Sequence, residues 1–168
     1  MKQVIETSRL ILREFQPSDA ESMFLLNSDP EVIRYTGDPP FKDIQDAEDF
    51  LKNYSHYAKN GFGRWPVIDK TNNLFVGWCG LKRHENEMID LGFRFFKKDW
   101  GKGYATESAK VCLDYGIQTL QLPEIVGRAA KANSASVRVL EKIGMTYWKD
   151  APCDGIQDSV YYRITSTS

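Results

Sequence analysis

Leu91-Gly92-Phe93-Arg94-Phe95-Phe96-Lys97-Lys98-Asp99-Trp100-Gly101-Lys102-Gly103-Tyr104-Ala105-Thr106-Glu107 is the stretch on which the fold turns. Its first half reads as a β-strand, and its second half opens a helix through a turn that carries Gly101 and Gly103. First-turn helix amides have no intrahelical acceptor and the helix dipole is positive there, so the turn from Trp100 to Thr106 suits an anion such as a pyrophosphate. The two glycines let backbone approach a phosphate closely, and Lys97, Lys98 and Lys102 add diffuse positive charge. The same residues also describe a solvated corner whose glycines serve geometry alone. Two familiar phosphate loops do not fit. Gly101-Lys102 is followed by Gly103 and preceded at position 96 by Phe96, which breaks the Walker pattern, and Thr106 stands where a dinucleotide fingerprint needs Gly or Ala.

Upstream, Trp65 to Asp69, Leu74 to Arg83 and Met88 to Phe96 are β-rich runs separated by Lys70-Thr71-Asn72-Asn73 and Glu85-Asn86-Glu87, the pattern of an antiparallel meander. Before them, Leu10 to Arg13 reads as a strand and Pro17 with the pair Ser18 and Glu21 as a helix start. Asp29-Pro30 starts a short helix, and a longer one is expected from about Asp46 to Asn60, stopped by Gly61. Downstream, the loop helix carries Ala105, Ala109, Cys112 and Gly116 on one face, and Ile125 to Ala129 is a short strand. Asn133 or Ser134 caps a last helix that Gly144 ends, and Met145 to Trp148 with Val160 to Ile164 form a closing hairpin across Asp154-Gly155. The expected fold is α+β, or α/β layered, with helices packed on a mixed sheet.

The 168 residues hold 22 Lys+Arg against 23 Asp+Glu, with 42% hydrophobic and 12% aromatic side chains. That is enough apolar surface for a full core, and no repeat or linker divides the chain, so residues 1–168 are read as a single domain. A net charge of -1 lacks the signature of a protein whose main partner is nucleic acid or an anionic membrane. The longest charge-free stretch, Thr71 to Leu81, is far short of the ~18 residues of a membrane span. Met1 to Glu6 lacks a secretory apolar run, which points to the cytoplasm. Cys79, Cys112 and Cys153 have no paired spacing and are expected as reduced thiols, and with His56 and His84 as the two histidines a metal site has little support.

A second segment, Asn133-Ser134-Ala135-Ser136-Val137-Arg138-Val139-Leu140-Glu141-Lys142-Ile143-Gly144-Met145, makes the first recognisable. Together they resemble the GNAT superfamily of acyl-CoA N-acyltransferases, whose cofactor loop Gln/Arg-x-x-Gly-x-Gly/Ala is matched by Lys98-Asp99-Trp100-Gly101-Lys102-Gly103. Thr7 to Arg13, Asp29-Pro30-Glu31-Val32, Gly103 to Glu107 and Ser136 to Gly144 look like its RimJ/RimL branch, which acetylates N-terminal α-amines of ribosomal proteins. The resemblance spans nearly the whole chain in order.

It implies a GNAT fold and acetyl-CoA as donor, with CoA as product and no metal. The CoA pyrophosphate would lie on Trp100, Gly101, Lys102, Gly103, Tyr104, Ala105 and Thr106, with Lys98 in place of the family's Gln or Arg. The backbone of Phe93, Arg94 and Phe95 would pair with pantetheine like an added strand and aim an amide at the thioester carbonyl, while Asn133 and Ser136 would contact the pantetheine arm. An amide aimed at a developing oxyanion is worth several kcal/mol in the transition state.

Lysine at position 98 keeps charge but lacks the planar fork of arginine. Leu140 stands seven residues after Asn133, where several relatives carry the tyrosine that protonates the leaving thiolate. The candidate acids are then Ser136 or a tyrosine from elsewhere, or the thiolate leaves unassisted. Asp90, Glu87 and Glu85 are candidates for the base that an amine nucleophile needs, and a solvated strand face explains them as well. Glu107 is explained by the helix dipole, His84 as a surface residue and Cys112 as packing. Phe41, Tyr54, Tyr57, Phe62 and Trp65, with Tyr35 or Trp78, mark the segment where an acceptor pocket is expected. The reading is an N-acetyltransferase that acts on a primary amine by direct transfer in a ternary complex. Its acceptor is a ribosomal-protein or other peptide N-terminus, or a small amine such as an amino acid, polyamine or antibiotic. A CoA-binding protein without catalysis and a nucleotide-binding module are the competing readings. Dimers occur in the branch, but no exposed stripe in the sequence identifies an interface.

Overall fold

The computed structural model describes residues 2–166. The chain runs β1 (Gln3–Glu6), β2 (Leu10–Arg13), α1 (Ala20–Ser28), α2 (Pro30–Ile33), α3 (Ile44–Lys52), α4 (His56–Asn60), β3 (Arg64–Asp69), β4 (Leu74–Arg83), β5 (Ile89–Phe95), α5 (Tyr104–Asp114), β6 (Glu124–Ala130), α6 (Ser134–Lys142), β7 (Thr146–Asp150) and β8 (Ser159–Thr165). The strands form one eight-stranded sheet in the order β1-β2-β3-β4-β5-β6-β8-β7, antiparallel throughout except where β5 meets β6. This is the expected mixed sheet flanked by helices, and β3, β4 and β5 are the expected meander.

Three elements differ from expectation. The strand β1 is a four-residue edge strand with two half-buried side chains, too short to show a periodicity. Around Pro17 a single 3-10 turn, Pro17–Asp19, precedes α1. Its organising residue is Asp19, not Ser18, because the Asp19 carboxylate accepts the Gln16 amide at 2.9 Å and both Arg13 guanidinium nitrogens at 2.8 Å. The helix expected over 46–60 is two helices. Tyr54 and Tyr57 turn inward there and bind the backbone of Arg64, the Tyr54 hydroxyl accepting its N–H at 2.7 Å and the Tyr57 hydroxyl donating to its carbonyl. Those bonds pull the chain off the helical path at Asn53 and hold α4 against β3.

Two apolar clusters sandwich the sheet. The larger holds Leu81, Leu91, Cys112, Leu113, Ile125 and Leu140, under α5 and α6. The smaller, with Ala20, Met23, Ala47 and Leu51, seats α1 and α3 on the opposite face beside Trp78. Cys79 and Cys112 are buried free thiols, as expected. Among the described residues no helix is long and apolar enough to cross a membrane.

The site is set by one topological fact. β5 is held by β4 from Ile89 to Phe95, and β6 is held by β8 from Glu124 to Ala130. Between them pairing is confined to Asp90 with Val126 and Leu91 with Gly127. Each strand keeps its outer partner, so past Leu91 and Gly127 the two part and leave a notch in the middle of the sheet.

Candidate active site

Two chambers meet at that notch. One, of about 630 Å³, lies between β5, the loop before α5 and the N-terminal half of α6. The other, of about 930 Å³, lies on the face covered by α1 and α3. Tyr35, Thr36, Phe93, Arg94, Asn133 and Ser136 line both.

In the first chamber the backbone of β5 is open. The Trp100 indole N–H donates to the Phe95 carbonyl at 2.9 Å, which fixes Phe95 as facing away from β4. Alternate residues of an antiparallel strand turn their backbone groups to the same side, so the Phe93 amide and carbonyl also face the notch. Beyond β5, Gly101 and Gly103 adopt φ of 80° and 82°, the left-handed region that glycine enters at no steric cost. The α5 ladder begins with the Glu107 amide donating to the Gly103 carbonyl at 3.0 Å, which leaves the Tyr104, Ala105 and Thr106 amides ahead of it unclaimed by the helix. A Cβ at Gly101 would meet nothing within 4 Å, so this cradle is unfilled. An extended amide-bearing arm and a pyrophosphate fit these donors.

Not every residue of the expected cofactor set reaches this chamber. Lys98 is exposed with its ammonium over the Phe96 ring, and Lys102 pairs with Asp99 at 2.9 Å; neither lines the cleft. Asn133 lines it, but its side-chain oxygen caps α6 by accepting the Ser136 amide at 3.3 Å, leaving its amide nitrogen for a ligand. Glu107 accepts from Thr7 at 2.5 Å and from Arg9 at 2.8 Å, so it fastens the N-terminal segment to α5. Leu140 is buried against β6, where a Cβ on Gly127 would lie 2.6 Å from it.

The floor of the second chamber carries charge. Strand alternation places Arg64, Gly80, Gly92, Asp90 and Arg128 on one face. The Arg64 guanidinium lies over Gly92, where a Cβ would come within 2.8 Å of it. It donates to the Gly80 carbonyl at 2.9 Å, the Asp90 carbonyl at 3.1 Å and the Asp90 carboxylate at 3.2 and 3.3 Å. His84 Nε2 lies 2.7 Å from the same carboxylate, and Arg128 lies 3.6 Å from it. Burial alone would raise the Asp90 carboxyl, but the Arg64 charge, the His84 hydrogen bond and Arg128 outweigh it and hold the group well below the usual carboxylate range. Asp90 is therefore an anchor that stays ionised near neutrality, 5% exposed, and not itself a proton acceptor there. Glu85 and Glu87 do not line either chamber. His84, Arg64 and Arg128 were not read from sequence as site residues; the one signal was the glycine pair at 80 and 92.

Residues 9–146 match the family model described as an acetyltransferase (GNAT) domain. The chain belongs to the GNAT acetyltransferase family. It is 35% identical to the uncharacterized protein YkkB of Bacillus subtilis over 154 residues, covering 88% of each chain. It is 30% identical to the FsC-acetyl coenzyme A-N(2)-transacetylase of Aspergillus fumigatus, covering 96% of this chain and 75% of that one. A solved GNAT-family acetyltransferase from Bacillus anthracis superposes with a TM-score of 0.80 at 32% identity, over 96% of this chain and 98% of that chain. GNAT acetyltransferases use acetyl-CoA.

Proposed function

We propose that this chain is an acetyl-CoA-dependent N-acetyltransferase that transfers acetyl directly to a primary amine in a ternary complex. The meeting of the two chambers at Phe93, Arg94, Asn133 and Ser136 carries the reading, because it lets donor and acceptor approach one point from opposite faces of the sheet. Acetyl-CoA supplies an activated thioester. In this reading the Phe93 amide polarises the thioester carbonyl, the Trp100 to Thr106 loop holds the pyrophosphate, and Ser136 with Asn133 positions the pantetheine arm. The leaving thiolate takes its proton from Tyr35, which lines both chambers as Ser136 does and is much the stronger acid of the two hydroxyls.

The acceptor chamber of about 930 Å³ has room for several residues of a peptide, which supports a protein N-terminal α-amine, a ribosomal protein's among them. A small cationic amine is the second reading. Asp46 and Asp49 line the chamber beside Phe41, Phe50 and Tyr54, a set that attracts an ammonium through charge and ring faces. The test is calorimetric titration with acetyl-CoA followed by thiol release against N-terminal peptides, amino acids, polyamines and aminoglycosides. Turnover on one class is expected. Binding without turnover on any amine would favour a CoA-binding protein, and absence of binding would overturn the reading.

A further inference from the structure

Resting on the acetyltransferase reading, we infer that His84 is the base that receives the acceptor amine's proton and that Asp90 is its positioning residue. Three observations carry this. First, His84 lines the acceptor chamber, as do Asp90, Arg128, Asn133 and Ser136. Second, its Nε2 is 2.7 Å from the Asp90 carboxylate. A carboxylate held ionised there can only accept, so Nε2 carries the hydrogen and Nδ1 presents its lone pair. Third, no described residue hydrogen-bonds Nδ1, and it is not among the sealed polar atoms, so it opens to the chamber.

The surroundings keep this arrangement in place. From β3, Arg64 fixes one side of the carboxylate. The Arg128 guanidinium on β6, 3.3 Å from Nε2, is a donor only, so while Nε2 carries its hydrogen Arg128 acts on the Asp90 carboxylate 3.6 Å away and not on the ring. His56 of α4 and Lys82 of β4 line the same chamber, and Asp154 stands 4.0 Å from Arg128. The ring is thus faced by one buried anion and several cations, and the nearest of them is the anion.

A strand rises about 3.3 Å per residue, so Asp90 and Phe93 are about 10 Å apart along β5, more than one water spans, and a chain of waters in the chamber carries the proton from amine to imidazole. The step balances. The ammonium gives one proton to Nδ1 and its lone pair forms the C–N bond. The C–S bond breaks with its pair on sulfur, the thiolate receives a proton from Tyr35, and the proton left on nitrogen returns to Tyr35. His84 then releases its proton to solvent through the chamber mouth.

The test measures kcat, KM and acetyl-CoA affinity from acid to alkaline pH for the wild type, His84→Gln, His84→Ala and Asp90→Asn, using the amine from the panel that the wild type turns over fastest. Glutamine keeps a donor to Asp90 but cannot take up a proton. The expected results are a fall in kcat of about 10²-fold in both His84 variants, an unchanged acetyl-CoA Kd, and absence from both variants of the acid limb expected in the wild-type kcat profile. Added imidazole should restore part of the activity of His84→Ala. Asp90→Asn should move that limb while keeping it. A folded His84→Gln enzyme within threefold of wild-type kcat and with the same acid limb would overturn the inference and leave the acetyltransferase reading standing. A wild type that acetylates no amine in the panel would overturn both.

Discussion

Replacing Arg64 with methionine should destabilise the protein by about 3 kcal/mol. Removing one partner of a buried ion pair costs about 3–5 kcal/mol, mainly because the other charge is left without compensation. The Arg64 side chain is 15% exposed and that of Asp90 7%, so the pair qualifies. The lower end applies for two reasons. His84 at 2.7 Å and Arg128 at 3.6 Å still face the carboxylate, and an unbranched methionine can lie over Gly92 where the arginine side chain lay. The loss includes the bonds to the Gly80 and Asp90 carbonyls, through which the guanidinium ties β3, β4 and β5 together. For a chain of this size the change corresponds to a fall in Tm of about 6–12 °C, at about 2–4 °C per kcal/mol. Urea denaturation at neutral pH reads it as a shifted midpoint with an unchanged slope. The double variant Arg64→Met with Asp90→Asn should lose at least about 1 kcal/mol less than the sum of the single losses, because the carboxylate that Arg64→Met leaves undercompensated is gone, while Arg128 keeps Asp154 at 4.0 Å. A loss below 1 kcal/mol for Arg64→Met, or strict additivity, would refute the view of this cluster as a coupled unit.

Three further outcomes follow from the same geometry. The Asp90 carboxyl sits lower when folded than when unfolded, so its stabilising contribution is complete above the ordinary carboxylate value of about 3.9 and is lost as pH falls below it; Asp90→Asn should show a shallower acid loss in unfolding free energy than the wild type. Gly103→Val places a β-branched residue at a φ of 82°, with strain of about 1–2 kcal/mol, and should weaken acetyl-CoA binding at least about tenfold by calorimetry; an unchanged Kd in a folded variant removes the loop from the donor site. Tyr35→Phe should lower kcat about tenfold or more with little change in KM, whereas Ser136→Ala should change kcat less; the reverse ranking assigns the proton to Ser136.

What was legible in the sequence is what local chemistry decides. Gly61 and Gly144 end their helices at φ of 79° and 98°, Asn133 caps α6, and the meander strands fall where alternation and turn residues put them. The donor loop was legible for the same reason, since positive φ and a helix start are properties of neighbouring residues. Its lysines were misleading. A lysine near a phosphate loop reads as a ligand, but Lys102 finds the nearer Asp99 and Lys98 points to solvent.

The acceptor floor failed to show for a different physical reason. Asp90 reads from the sequence as a candidate base or a solvated residue, because a charged side chain on an alternating strand belongs on the wet face, and the alternation is correct. Its premise is not, since that face is roofed by α1 and α3, whose residues precede Asp90 by more than thirty-five positions. Once the face is covered, a carboxylate there must be compensated, and Arg64, His84 and Arg128 do so from three separate segments. No spacing rule connects them, because their adjacency depends on register. One small fact points the right way. Gly80 and Gly92 become opposite neighbours in the β4–β5 ladder; Gly80 lets the β3 backbone approach closely, and Gly92 leaves room for a side chain to lie over it. Here it is a guanidinium, and the charge it brings over the sheet is what allows Asp90 to remain ionised in the interior and to orient the His84 ring.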